Sequence, residues 1–197
     1  FAPAWFRLYN DFENSDRWTP LIEQGYASLF TTEGADKGLA PDWSTFAGLP
    51  AFDYCNTNGR PLENCRYEMF YDAIRVPWRI GLDCLWYDDP IACDWSQRSI
   101  DLLQSLPPQQ QARMYDMEGN LIVDYQDVAM LGMWVVAAMA DGDTLYQSRL
   151  ERQLLMGRGD VLDNGYWGAT PDFYYNQSLA WFGASLLSGD FRGLTRE

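Results

Sequence analysis

The run Tyr71-Asp72-Ala73-Ile74-Arg75-Val76-Pro77-Trp78-Arg79-Ile80-Gly81-Leu82-Asp83-Cys84-Leu85-Trp86 decides the fold class of this chain. Ile74, Trp78, Leu82 and Leu85 recur at helical spacing and share one face. Asp72, Arg75, Arg79 and Asp83 share another, so the run predicts an amphipathic helix. Pro77 lies inside the pattern and predicts a kink there.

The same rhythm extends outward in both directions. Upstream, residues 3–13 and 16–32 read as helices, the first with Pro3 in its opening turn and the second with Asp16 as N-cap. Downstream, helices are predicted over about 90–106, 124–140, 143–155 and 170–187, the last opened by Thr170-Pro171. Residues 34–68 lose periodicity and read as a long connection whose Trp43, Phe46, Phe52 and Tyr54 pack on the body or line a groove. Gly119-Asn120 predicts a small hairpin within residues 113–123, and residues 157–168 read as a turn-rich loop. The expected fold is all-α, one domain over residues 1–197, built from helical hairpins as a solenoid or toroid with a groove at one end.

Composition removes several functions. Lys and Arg number 14 against 28 Asp and Glu, a net charge of −14, so neither nucleic acid nor an anionic membrane surface is an expected partner. The absence of His excludes His-ligated zinc and any His-based triad. Nine Trp and twelve Tyr argue against disorder, and no apolar run approaches the ~20 residues of a membrane span. Nothing in the sequence calls for a metal or a cofactor. Four cysteines flank two turn signals, which suggests Cys55–Cys65 and Cys84–Cys93 disulfides and an exported protein; four buried free thiols are the alternative. The chain enters its first helical segment directly at Phe1, which reads as a piece of something longer.

Two clusters carry possible chemistry. Asp72 opens a helix with Arg75 three residues on, and both the helix N-terminus and the guanidinium favour an ionised carboxylate that can take a proton from water. The same spacing also makes an ordinary surface ion pair. Tyr166-Trp167 and Asp172-Phe173-Tyr174-Tyr175-Asn176-Gln177 mix planar rings with amides, as a sugar site does, and equally as helix-start packing does.

Tyr71-Asp72-Ala73-Ile74-Arg75-Val76-Pro77-Trp78-Arg79 resembles the signature of glycoside hydrolase family 8. So do Phe1-Ala2-Pro3-Ala4-Trp5-Phe6-Arg7 and Tyr174-Tyr175-Asn176-Gln177-Ser178-Leu179-Ala180-Trp181-Phe182-Gly183, and the three occur in the family's order. The resemblance implies the second, C-terminal half of an (α/α)6 barrel of inner and outer helices. It also implies inverting hydrolysis of β-1,4-glycosidic bonds in a polysaccharide, most readily cellulose or β-glucan, by a secreted or periplasmic enzyme. By that likeness Asp72 is the general base, Arg75 orients it, and Tyr71, Tyr174 and Tyr175 bind substrate. The family's general acid is a Glu upstream of the first motif, so the missing half is an expected partner. Two other readings stay open: a non-catalytic or truncated carbohydrate-binding piece of the same ancestry, and an unrelated all-α toroid.

Overall fold

Proline and aspartate open most of the described helices. The computed structural model describes residues 1–59, 65–156, 167 and 174–193. Its helices are α1 (Pro3–Glu13), α2 (Thr19–Leu29), α3 (Phe52–Thr57), α4 (Val76–Tyr87), α5 (Pro90–Ser105), α6 (Val128–Asp141), α7 (Thr144–Met156) and α8 (Tyr174–Leu187). Proline stands in the first turn of α1, α2, α4 and α5, where its missing N–H costs no hydrogen bond. The Asp89 and Asp143 carboxylates each accept from two backbone N–H groups at the starts of α5 and α7, and Asp127 accepts from Met130 N at the start of α6.

These starts correct three sequence expectations. The second helix begins at Thr19 rather than Asp16, because Pro20 is tolerated in a first turn and not further in. Pro77 likewise sits in the first turn of α4 and kinks nothing; the preceding Ala73–Arg75 form a 3-10 turn. The helix predicted from residue 124 begins at Val128, with Asp127 as its cap. Thr170-Pro171 lies outside the described residues, as do Tyr166, Asp172 and Phe173.

The helices form two layers. α1, α4, α6 and α8 pack in succession as an inner row; α2 lies against α1, α5 against α4 and α6, and α7 against α6 and α8. The composition of α6 explains its central place. Val-Ala-Met-Leu-Gly-Met-Trp-Val-Val-Ala-Ala-Met is apolar all round, and every residue from Ala129 to Ala138 is buried. α4 is enclosed on both faces as well, so the polar side of its stripe is not a solvent-facing one at Asp83. Asp83 is fully buried, paired with Arg7 of α1 at 2.8 Å and accepting from the Tyr26 hydroxyl of α2 at 2.7 Å. Arg7 also pairs with Asp89 at 2.5 Å, so a buried polar knot ties both layers together at the end of the inner row opposite the Asp72 turn.

The long connection is more ordered than its composition suggests. It holds a 3-10 turn at Ala35–Lys37 and the short α3, and Leu39 and Ala40 are buried against the body. Phe46, Phe52 and Tyr54 are exposed. Both expected disulfides are present, Cys55–Cys65 and Cys84–Cys93. The expected hairpin appears as a Tyr115–Leu121 bridge around Gly119, with Met69 bridging to Tyr115 from the other side. That bridge holds the backbone just before the Tyr71-Asp72 turn.

Candidate active site

The starts of α4, α6 and α8 converge at one end of the inner row, and each brings part of one cluster. Asp72 occupies the N-cap position of the Ala73–Arg75 turn, yet its side chain caps nothing. Arg75 holds it instead: Nη2 donates to Asp72 Oδ1 at 2.7 Å, and Nε donates to the Asp72 backbone carbonyl at 2.9 Å. The Asp72 side chain keeps 55% of its surface open to solvent, so it is positioned and still accessible. Asp72 and Arg75, joined in sequence by helical spacing, are joined in space as expected.

Tyr71 forms the neighbouring wall. Its hydroxyl donates to Asp127 Oδ2 at 2.9 Å and shares a 3.1 Å hydrogen bond with the Tyr125 hydroxyl. Burial, Tyr125 and the charge of Asp127 push the Tyr71 phenol well above its ordinary value, so it stays protonated and a donor. Asn176 Nδ2 donates to the same Asp127 oxygen at 3.2 Å. Asp127 therefore caps α6 with one oxygen and fastens Tyr71 and α8 with the other.

Tyr175 packs edge-on against Tyr71 with ring centroids 6.0 Å apart, and its hydroxyl donates to the Tyr71 carbonyl. Tyr174 behaves differently. It is 79% exposed, and among the described residues no hydrogen bond or ring contact joins its side chain to the cluster. The amide of Gln177 is spent on the backbone of Trp167, donating to its carbonyl and accepting from its N–H, rather than on the cluster. Asn176 faces the cluster through Asp127.

Four cluster residues were not singled out from sequence: Asp42, Arg79, Tyr125 and Asp127. Asp42 Oδ1 accepts from Phe70 N at 2.9 Å and Ala73 N at 2.6 Å, directly beneath Asp72. Burial raises its carboxyl to about 6; the N–H groups of Ala73, Phe70 and Asp72 oppose the rise, and the charge of Asp72 adds to it. Arg79 is held below its ordinary value by burial and by Arg75. Asp127 alone had a sequence signal, a carboxylate just before an apolar helix. Glu68, close in sequence to Asp72, pairs with Arg66 at 3.2 Å and is not part of the cluster. Among the described residues no group of His, Cys, Asp or Glu is placed to hold a metal ion, and no helix is long and apolar enough to cross a membrane.

Fold and cluster together define two layers of helices with a cluster of carboxylates and tyrosines at the inner-helix N-termini. The chain belongs to the glycosyl hydrolases family 8, whose family model matches residues 1–188. It is 26% identical over 173 residues to endoglucanase C of Ruminiclostridium cellulolyticum, covering 86% of this chain and 34% of that protein. It is 25% identical over 197 residues to endoglucanase A of Acetivibrio thermocellus, covering 97% of this chain and 36% of that protein. Among solved structures, a GH8 xylobiose complex from Teredinibacter turnerae superposes with a TM-score of 0.75 at 17% identity, over 97% of this chain and 45% of that one. Rex8A of Paenibacillus barcinonensis complexed with xylose superposes with a TM-score of 0.69 at 22% identity, over 99% of this chain and 49% of that one. The chain thus spans about a third of the length of the curated relatives it matches and about half of an (α/α)6 barrel.

Proposed function

We propose that this chain supplies the general base and part of the sugar groove for inverting hydrolysis of β-1,4-glycosidic bonds. The observation that carries the reading is the two-point hold of Arg75 on Asp72, which fixes an accessible carboxylate beside a wall of tyrosines. With Oδ1 taken by Arg75, Oδ2 is left for a water molecule. Asp72 takes a proton from that water, whose oxygen bonds to the anomeric carbon as the bond to the leaving oxygen breaks. The leaving oxygen takes its proton from a general acid on the opposite face of the sugar. That acid is assigned to the part of the barrel the chain does not span.

Tyr71 and Tyr175 present ring surface for the apolar face of a sugar at the cleavage point, and exposed Tyr174 offers a further platform at the rim. A glucan is favoured over a xylan as substrate because the relatives from Ruminiclostridium cellulolyticum and Acetivibrio thermocellus are named endoglucanases. Two disulfides support an exported protein.

The test is Asp72→Asn in the complete catalytic domain, assayed on carboxymethyl cellulose, mixed-linkage glucan and xylan. Turnover should fall roughly 10²–10⁴-fold with substrate binding retained, since the base acts in the transition state. Wild-type turnover in that variant would remove Asp72 from the role. Proton NMR of the first product should show the inverted anomer.

A further inference from the structure

An aspartate at a helix N-cap ordinarily turns its carboxylate back onto the first backbone N–H groups of its own helix. Asp72 stands at that position and does not; Ile74 N, the N–H that an N-cap carboxylate would reach, already donates to the Phe70 carbonyl at 2.8 Å. Asp42 Oδ1 accepts from Ala73 N at 2.6 Å and from Phe70 N at 2.9 Å, one N–H on each side of the Tyr71-Asp72 pair. Asp42 is itself anchored: its N–H donates to the Glu68 carbonyl at 2.8 Å, and Trp43 N donates to the Arg66 carbonyl at 3.0 Å. The long connection therefore doubles back along residues 66–68 and places a carboxylate under the turn that follows. The Tyr175 hydroxyl on the Tyr71 carbonyl and Ile74 N on the Phe70 carbonyl at 2.8 Å complete the fastening.

We propose that Asp42 is a positioning residue for catalysis: by accepting from the backbone N–H groups on both sides of the Tyr71-Asp72 pair, it fixes the backbone from which the Asp72 carboxylate reaches Arg75. The proposal rests on the reading of Asp72 as the general base. Its part is mechanical. Without an acceptor from Asp42, the Phe70 and Ala73 N–H groups lose their partner, the Tyr71-Asp72 backbone is released, and the Asp72 carboxylate is displaced from the water it should activate. The function demands an acceptor at one place rather than a charge.

Two substitutions separate these requirements. Asp42→Asn keeps an oxygen of the same reach and removes the charge. Asp42→Glu keeps the charge and pushes the acceptor out by one methylene. Both are made in the complete catalytic domain, beside Asp72→Asn, with kcat, KM and thermal midpoint measured for each. Asp42→Asn should keep kcat within about tenfold of wild type, a neutral acceptor replacing a charged one. Asp42→Glu should lose roughly 10²-fold in kcat with KM little changed, as expected when a reacting group is displaced by about 1 Å. The reverse pattern, Glu active and Asn inactive, makes charge the requirement and overturns the proposal. Wild-type kcat in both variants, with Asp72→Asn inactive, overturns it while leaving Asp72 as the base. An active Asp72→Asn removes the base assignment and the proposal with it.

Discussion

A Cβ on Gly183 would stand 2.2 Å from the Gly132 carbonyl oxygen, and one on Gly132 would stand 2.5 Å from the Leu179 carbonyl oxygen. α6 and α8 therefore meet backbone to backbone, closer than any side chain permits. That approach matters to the cleft, because Asp127 at the start of α6 and Asn176 in the first turn of α8 are 3.2 Å apart only at this helix spacing.

Gly132→Ala should part the two helices. The atoms it meets are backbone, which cannot swing aside as a flexible side-chain tip would. We expect a loss of about 1–3 kcal/mol in urea unfolding, the usual cost of overpacking. Activity should fall as well, as Asn176 and Tyr175 draw back from Asp127 and Tyr71. A variant as stable as the parent would contradict the close contact.

Asp83→Ala removes the centre of the buried knot. Arg7 loses its 2.8 Å partner and the Tyr26 hydroxyl loses its acceptor. Arg7 keeps Asp89 and is partly exposed, so the cost belongs at the lower end of the range for breaking a buried pair, about 3 kcal/mol. The knot lies away from Asp72, so the folded fraction should keep its KM. Chemical denaturation checks the first statement and steady-state kinetics the second.

The Cys84–Cys93 disulfide joins the end of α4 to the start of α5 across nine residues of separation. Replacing both cysteines by serine should cost a little under about 3 kcal/mol, on the loop-closure account for so short a ring. Urea unfolding of the double variant beside wild type checks this. An unchanged midpoint would mean that packing of α4 on α5 alone fixes the corner.

Asp42 gives stability a pH dependence of defined sign. Its carboxyl is raised from 3.8 to about 6 in the folded state, so the folded protein holds this proton more tightly than the unfolded chain. Its contribution is favourable at low pH, declines between about pH 4 and pH 6, and is constant above. Asparagine at this position does not titrate, so the difference between Asp42→Asn and wild type follows the Asp42 carboxyl. The thermal midpoint of Asp42→Asn relative to wild type should therefore rise across pH 4–6 and level off. A flat difference would show that Asp42 titrates at its ordinary value.

Much of the architecture was legible because helices report themselves locally. The apolar stripe of the Tyr71 run, the turns flanked by cysteine pairs and the first-turn prolines are short-range signals, and the structure follows them. The burial of Asp83 was not legible in the sequence. A polar residue opposite an apolar stripe faces solvent only when the helix has a free side, and α4 has none: α1, α5 and α6 enclose it. The starts near residues 16 and 124 were set too early because helical spacing continues past the point where a proline or a capping aspartate begins the helix.

The sequence by itself determined the helices, the disulfide pairs and the adjacent pair Asp72 and Arg75, since each depends on residues a few positions apart. Only the tertiary structure decided that Asp42, Asp127, Tyr125 and Asn176 join them. Their partners lie tens of residues away along the chain, and periodicity carries no information about which helix starts meet. Packing supplies it: the glycine contact of α6 on α8 and the fold-back of residues 42–43 on 66–68 bring three helix N-termini and one loop carboxylate to a single place.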